Sequence, residues 1–212
     1  MLKTILFFIF LTSIQQSHSK TLFIGDSHAV GIFGKSFDKL IRDSGEQIIT
    51  HTSCGAVAKW FRTGQKTKCG FYFRDLNGVI TSGKVGATPV VDQTIDTFKP
   101  DVVVVELGGN YTHRSDSYTV KDIDELVSLI IDSGAKCLWY GAPSARNNAR
   151  TPRLYRLINE GVKERCLVFN SAAVTKYPED PRLDGIHYWG KQGRIQAEKW
   201  AKQAFEFYLE NK

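Results

Sequence analysis

The sequence contains no run of five or six like charges, no low-complexity segment and no proline-rich linker. Basic residues outnumber acidic residues by 28 to 22, but they are spread along the whole chain. Nucleic-acid-binding proteins concentrate their basic residues in patches or stripes, so nucleic acid is not expected as a partner. The 212 residues are 42% hydrophobic and 24% charged, which is ordinary for a folded domain and excludes a disordered or collagen-like chain.

The chain also lacks a long apolar run of the kind that crosses a membrane. The apolar run Ile5–Ile14 is shorter than the roughly 20 residues that a spanning helix needs. A basic residue precedes this run, and the small residues Ser17 and Ser19 follow it at the spacing of a cleavage site. We therefore predict a signal peptide over residues 1–19, export to the periplasm or the medium, and no stable membrane insertion.

Only four cysteines are present, and none has a Cys-x-x-Cys or paired His–Cys spacing, so no metal site is expected. In an oxidising compartment, Cys54 and Cys69 can close a loop rich in aromatic residues. Cys137 and Cys166 each begin a predicted strand and can bridge neighbouring strands. A disulfide of this kind contributes about 3 kcal/mol, mainly by restricting the unfolded chain. The alternative is four free, mostly buried thiols.

Short apolar runs alternate with amphipathic stretches, which is the pattern of repeated strand–helix units. The clearest strand is Asp101–Leu107, whose β-branched run is typical of a central parallel strand covered on both faces. The predicted strands are 21–25, 47–52, 101–107, 136–141 and 166–170, and the predicted helices are 29–43, 120–133, 152–162 and 193–210. This alternation predicts a single doubly wound α/β domain over residues 20–212, with three α/β/α layers.

Polar residues collect where the predicted strands end, which is where open α/β sheets bind ligands. Ser27 follows the first strand at the start of a helix, and Gly55 follows the second. Asn110 follows the third strand after two glycines, and Asp184 precedes His187 by three residues in the loop after the fifth. Taken singly, each of these features is also typical of a residue that only caps a helix or forms a surface turn. Together they supply the nucleophile, base and anion donors that acyl transfer requires.

These residues resemble the motifs of the SGNH (GDSL-type) hydrolase superfamily over essentially the whole mature chain. Phe23-Ile24-Gly25-Asp26-Ser27 matches the first block, with Ser27 in the place of the nucleophile. Gly55 matches the glycine of the second block, Gly108-Gly109-Asn110 the third, and the Asp184/His187 pair the fifth. The resemblance implies Ser27, Asp184 and His187 as catalytic residues, with an oxyanion hole made by Ser27, Gly55 and Asn110.

The same resemblance implies a flavodoxin-like fold with five parallel strands in the order 2-1-3-4-5, which puts Cys137 and Cys166 on adjacent strands. It also implies esterase, lipase, thioesterase, deacetylase or acyltransferase activity without metal or cofactor. Two positions depart from the pattern: His28 replaces the usual Leu, and Tyr111 replaces the usual Asp. The Gly-Asp-Ser-His-Ala block is similar to SGNH domains that accompany glycan O-acyltransferases, which favours a cell-envelope glycan as substrate.

The stretch from residue 53 to residue 94 is too long for a plain loop, and we interpret it as a functional insertion. The aromatic residues of this stretch, and one aromatic residue that follows His187, are candidates for contact with a sugar or an acyl chain: Trp60, Phe61, Phe71, Tyr72, Phe73 and Trp189. Arg146 and Arg150 are candidates for contact with an anionic substrate. The alternatives are ordinary core aromatics and a solvated basic loop.

The sequence therefore predicts a secreted serine esterase that removes a short acyl group, such as acetyl, from an envelope carbohydrate. Two other readings stay open. One is a lipid acyl hydrolase or thioesterase, which requires an apolar groove for the acyl chain. The other is a glycan-binding protein that has kept the scaffold without its activity.

Overall fold

The computed structural model describes residues 18–212, so the predicted signal peptide lies outside the described residues except for its last two. In chain order the elements are β1 (Lys20–Gly25), α1 (Ser27–Val30), α2 (Ile32–Asp43), β2 (Gln47–Ser53), α3 (Ala58–Thr63), β3 (Lys66–Thr67), β4 (Phe71–Arg74), β5 (Ile80–Gly83), β6 (Gly86–Ala87), α4 (Val91–Phe98), β7 (Val102–Glu106), a 3₁₀ turn (Gly109–Tyr111), α5 (Asp116–Asp132), β8 (Lys136–Tyr140), α6 (Thr151–Val162), β9 (Cys166–Phe169), α7 (Ser171–Val174) and α8 (Gly190–Asn211). Among these elements, no helix has the length and apolar character needed to cross a membrane.

The main sheet has seven strands in the order β5-β4-β2-β1-β7-β8-β9. Its β2-β1-β7-β8-β9 part is parallel and has the predicted 2-1-3-4-5 order. The prediction of a five-stranded, wholly parallel sheet is wrong, because β4 and β5 add two antiparallel strands at the β2 edge. Both strands come from the 53–94 stretch. They have four residues each, and β5 is exposed throughout, so they carry no buried alternating pattern that a sequence reading could detect.

Helices cover both faces of this sheet and give it two separate cores. Along β7 the side chains alternate between the faces, as a pleated strand requires. Val103 belongs to a buried cluster that includes Leu126 of α5. Its neighbour Val104 belongs to a second cluster with Phe37 of α2 and Trp200 of α8. The continuous apolar run of β7 thus reflects burial on two faces, and the three predicted layers are present.

The first predicted helix, 29–43, is two helices in the structure. α1 ends at Val30 and α2 begins at Ile32, because Gly31 between them has an extended backbone that interrupts the helix. Close packing sets the position of α1, because a Cβ on Gly25 would lie only 2.4 Å from the Cβ of Ala29. Glycine at the end of β1 therefore lets α1 begin directly above the sheet, with Ser27 at its first turn.

Both expected disulfides are present, which excludes the alternative of four free thiols. Cys137 and Cys166 are paired residues on the adjacent strands β8 and β9 and join them covalently. Cys54 is bonded to Cys69, so the segment after β2 is tied to the segment that leads into β4. The Cys54–Cys69 bond lies beside Gly55, because Cys54 precedes this glycine and a Cβ on it would be 3.7 Å from the sulfur of Cys69.

Candidate active site

Three side chains from distant parts of the sequence meet at the carboxyl edge of the parallel strands. Ser27 is the first residue of α1, and its Oγ lies 2.9 Å from Nε2 of His187. The other ring nitrogen of His187, Nδ1, lies 2.6 Å from Oδ2 of Asp184. A carboxylate only accepts hydrogen bonds, so this contact assigns the ring proton to Nδ1 and leaves Nε2 free to accept the Ser27 proton. The three side chains form one connected hydrogen-bonded chain.

Asp184 is also fixed by the backbone of its own loop. Its Oδ1 accepts hydrogen bonds from the N–H groups of Ile186, at 2.9 Å, and His187, at 2.8 Å. The indole N–H of Trp189 donates to its Oδ2 at 3.3 Å. Partial burial raises the pKa of Asp184, but the hydrogen bonds from His187 and Ile186 outweigh burial and hold the pKa well below its usual value. Asp184 is therefore an anion at neutral pH and orients the imidazole.

The backbone N–H groups of Ser27 and Gly55 face no hydrogen-bond acceptor within residues 18–212. Gly55 has a φ of 82°, in the left-handed region that favours glycine. A Cβ at this position would lie 3.4 Å from the ring of Trp60 and 3.7 Å from the sulfur of Cys69. Free N–H groups at a helix start and in a tight turn are the donors that a developing oxyanion requires.

Asn110, the third predicted donor, lies in the 3₁₀ turn after β7. Its Nδ2 donates to Oδ2 of Asp26 at 3.1 Å and to the carbonyl oxygen of Ala56 at 3.0 Å. Both N–H bonds of the amide thus have acceptors in this arrangement. Asn110 can donate to an oxyanion after releasing one of them, and the carbonyl of Ala56, next to Gly55, is the neutral and therefore weaker acceptor.

The triad and these donors line one open cleft of about 730 Å³, a size typical of small-molecule sites. Away from Ser27 the cleft is lined by the polar residues His113, Arg146, Asn147, Arg150 and Thr151. Leu154 and Ile186 contribute apolar surface. The cleft therefore offers a ligand both charged or hydrogen-bonding groups and apolar surface.

Neither protein-family models nor curated proteins match the sequence. Solved structures do match. A GDSL-like lipase from Bacteroides thetaiotaomicron is 15% identical with a TM-score of 0.57, covering 90% of this chain and 89% of that one. A peptidoglycan O-acetylesterase is 13% identical with a TM-score of 0.55, covering 91% of both chains. A family 3 carbohydrate esterase from Clostridium thermocellum is 13% identical with a TM-score of 0.58, covering 92% and 96%. The fold is that of the SGNH hydrolases.

On this SGNH fold, His28 has a position that the more usual leucine could not fill in the same way. The imidazole is buried, and its Nε2 donates to the carbonyl oxygen of Ile186 at 3.2 Å. That carbonyl belongs to the loop that carries His187, so His28 links α1, which begins with Ser27, to this loop. The backbone N–H of His28 donates to Oδ1 of Asp26, which caps α1.

Tyr111, the other departure from the SGNH pattern, anchors the turn that carries Asn110. Its buried hydroxyl donates to Oδ2 of Asp122 at 2.8 Å and accepts from the N–H of Ala58 at 2.9 Å. The turn is thereby joined to α5 on one side and to α3 on the other. The tyrosine thereby fixes the turn that carries Asn110.

The sequence reading missed Glu106, the last residue of β7. Its side chain is fully buried, and neither carboxyl oxygen has a hydrogen-bond partner among the described residues. Burial and then the charge of Asp26 raise the pKa of Glu106 well above its usual value. The detectable signal was an acidic residue at the end of an otherwise apolar strand.

Asp26, His28 and Glu106 each place one possible metal-ligand atom within 4.8 Å of the others, and all three are buried. Both oxygens of Asp26 already accept hydrogen bonds, from Asn110 and from the backbone of His28. The raised pKa of Glu106 favours its protonated form beside Asp26, and His28 is the third member of this buried cluster.

The residues predicted to contact the substrate lie in different environments in the structure. Phe61 has no exposed surface and lies in the core, so its assignment to substrate binding is wrong. Trp60 packs against the same core and does not line the cleft. Trp189 is half exposed and, with His187, borders a small cavity beside Ser27. Arg146 lines the cleft itself. The remaining candidates, Phe71, Tyr72 and Phe73, lie on β4 and are not among the residues that line the cleft.

Proposed function

We propose that the protein is an exported serine esterase that removes a short acyl group, such as acetyl, from a carbohydrate. The observation that carries the proposal is the hydrogen-bonded chain from Ser27 through His187 to Asp184, in a cleft that Arg146 and Arg150 also line. The same fold is found in proteins described as a peptidoglycan O-acetylesterase and a carbohydrate esterase, which supports this substrate class. The two disulfides are compatible with export.

In the proposed reaction, His187 Nε2 removes the hydroxyl proton of Ser27 while Oγ attacks the carbonyl carbon of the ester. The backbone N–H groups of Ser27 and Gly55 stabilise the resulting oxyanion, and Asn110 joins them as it releases Ala56. The imidazolium of His187, stabilised by Asp184, then protonates the leaving alcohol oxygen. Water, or the hydroxyl of an acceptor glycan, then attacks the carbonyl carbon of the acyl-enzyme while His187 takes its proton. As the bond from the acyl group to Oγ breaks, His187 passes this proton to Oγ and restores Ser27.

The test is hydrolysis of p-nitrophenyl esters from acetate to long acyl chains by the mature protein and by Ser27→Ala. Ser117→Ala is a matched control, because Ser117 is an exposed serine on α5. We expect hydrolysis of the acetate, a loss of at least about 10³-fold in Ser27→Ala with unchanged thermal unfolding, and no loss in the control. Acetate release from O-acetylated polysaccharide is the second assay.

The outcomes separate the alternatives. Activity that rises with the length of the acyl chain would contradict a short-acyl esterase and favour a lipid hydrolase or thioesterase. Hydrolysis that is equal in Ser27→Ala and the unmodified protein would overturn the assignment of the nucleophile. The absence of any hydrolysis would favour a glycan-binding protein.

A further inference from the structure

The arginines of this chain differ in whether their charge is neutralised. Of the eleven arginines in the sequence, eight contact a carboxylate within 4.0 Å. Over the described residues, the three without such a contact are Arg114, Arg146 and Arg150. Arg114 lies over the ring of Tyr118, outside the cleft. The other two both line the cleft, so unneutralised arginines are concentrated at the candidate active site.

Arg150 is exposed, and within residues 18–212 the only hydrogen-bond partner of its guanidinium is His113. Its Nη1 lies 3.1 Å and 3.2 Å from the two ring nitrogens. Arg150 also immediately precedes the 12-residue helix α6, whose amino end has no side-chain cap. The positive end of a helix dipole favours an anion, and a guanidinium beside it is unfavourable until a negative charge is added.

Arg146 contributes positive charge to the same wall, and its hydrogen bonds go to backbone carbonyl groups of a neighbouring loop. Its Nη2 donates to the carbonyl oxygens of Asp180, at 2.9 Å, and Leu183, at 2.7 Å, and its backbone N–H donates to Gly185 at 2.8 Å. These contacts hold the loop that leads into Asp184. Carbonyl groups do not neutralise a guanidinium, so its positive charge remains in the wall of the cleft.

Negative charge in the cleft does not offset these groups. The acidic residues that line it are Asp26, which is buried and bonded to Asn110, and Asp184, which is paired with His187. The surface formed by Arg150, His113 and the amino end of α6 is therefore an electropositive wall with hydrogen-bond donors and no anion of its own.

We propose that this wall binds an anionic group on the alcohol side of the ester, so that the substrate is an acylated acidic glycan. The inference rests on the proposed esterase function and specifies its substrate class. A carboxylate or a phosphate on the sugar would accept two parallel N–H bonds from the Arg150 fork, with the helix dipole adding to the attraction. The acyl group then lies at Ser27 while the charged group fixes the orientation of the glycan.

The test uses phenyl acetates with a para chain of two to eight atoms, each made with a terminal carboxylate and with a terminal amide. The members of a pair differ in charge but hardly in shape, so the ratio of their kcat/KM values isolates the charge. The variants are Arg150→Gln and, as a matched control, Arg114→Gln. We expect a ratio of about tenfold or more for at least one chain length, a fall to below about twofold in Arg150→Gln, and no change in Arg114→Gln.

Three results would overturn the proposal. A ratio near one at every chain length would show that the wall does not recognise an anion. A high ratio that survives in Arg150→Gln would assign the recognition to other residues. Lack of Ser27-dependent hydrolysis of every ester would instead reject the esterase function, and the inference would fail with it. Calorimetric binding of the same pairs to Ser27→Ala gives a readout without turnover, and equal affinities for carboxylate and amide would also reject it.

Discussion

The side-chain amide of Asn110 donates to the carboxylate of Asp26 at 3.1 Å, although 84 residues separate them in the sequence. Asp26 also caps the helix that begins with Ser27, through its bond to the N–H of His28. One buried carboxylate therefore contacts both the helix that begins with Ser27 and the amide of Asn110. Because Asp26 lies between them, a substitution at Asp26 should alter both the start of α1 and the position of the Asn110 amide.

The first prediction follows from this link. Asn110→Ala should lower kcat for p-nitrophenyl acetate by about 10²-fold with little change in KM, because an oxyanion donor acts mainly in the transition state. Asp26→Asn should have a similar effect, since its amide can turn a donor toward Asn110, and the double variant should lose little more than the worse single one. Asn159→Ala, on the exposed face of α6, is the control. A loss confined to KM would contradict an oxyanion role for Asn110.

A second prediction concerns His28. His28→Leu introduces the usual SGNH residue and removes the donor to the carbonyl of Ile186, which should destabilise the fold by about 1 kcal/mol. We expect a lower Tm and a several-fold lower kcat, because the loop with His187 loses its link to α1. His28→Gln retains a donor and should recover part of both losses. Equal Tm and kcat in wild type and His28→Leu would show that the link has no role.

The pH dependence of stability provides a third prediction, at Glu106. The pKa of this buried carboxyl is raised in the folded protein, so the folded state holds its proton more tightly than the unfolded chain does. Stability linked to Glu106 is therefore full below pH 4.5, the ordinary pKa, and is lost as the pH rises toward the folded-state pKa. Glu106→Gln should gain stability relative to wild type as the pH increases above this value. The measurement is urea unfolding across the pH range.

Glu206→Gln is the control for this experiment, because Glu206 is exposed on α8. Its stability difference from wild type should not change with pH in the same way. A difference between Glu106→Gln and wild type that is constant from pH 4 to pH 8 would contradict the assignment of a protonated Glu106.

A fourth prediction concerns His51 on β2, for which the pH dependence of stability has the opposite sign. Burial lowers its pKa to about 4, and its Nδ1 has no hydrogen-bond partner in the described part of the chain. The unfolded chain therefore binds the proton more readily, and stability linked to His51 is lost as the pH falls from 6.5 toward 4. The loss amounts to about 3 kcal/mol at most. His51→Gln should flatten this part of the stability profile, whereas His113→Gln, at an exposed histidine, should leave it as it is. A profile that is equally steep in His51→Gln would exclude this group.

Much of the fold could be predicted from the sequence, because it is carried by local patterns. The apolar run of β7 and the helical spacing of α5 and α6 can each be recognised within a few consecutive residues. The position of Ser27, Asn110 and His187 at strand ends followed from the same patterns, since parallel strands bring their carboxyl ends to one edge. The pairing of Cys137 with Cys166 agrees with the strand order that the family resemblance implied.

What could not be predicted depends on contacts between distant segments. The strands β4 and β5 exist because they pair with β2 and with each other, and their own residues are largely exposed or only partly buried. Phe61 and Trp60 have the composition of a sugar-binding surface, and only the fold shows that they pack against a core. Glu106 gains its unusual environment from Asp26, 80 residues away, which no periodicity reveals.

Both ends of the described chain lie at the sheet edge away from Ser27. The carbonyl of Lys20, at the start of β1, accepts from Asp101 just before β7, and Lys136, at the start of β8, donates to the carbonyl of Lys212. A fusion partner or a chemical tether attached to residue 212 would therefore point the cleft outward from its support. An immobilised preparation should keep access to insoluble polymers as well as to soluble esters.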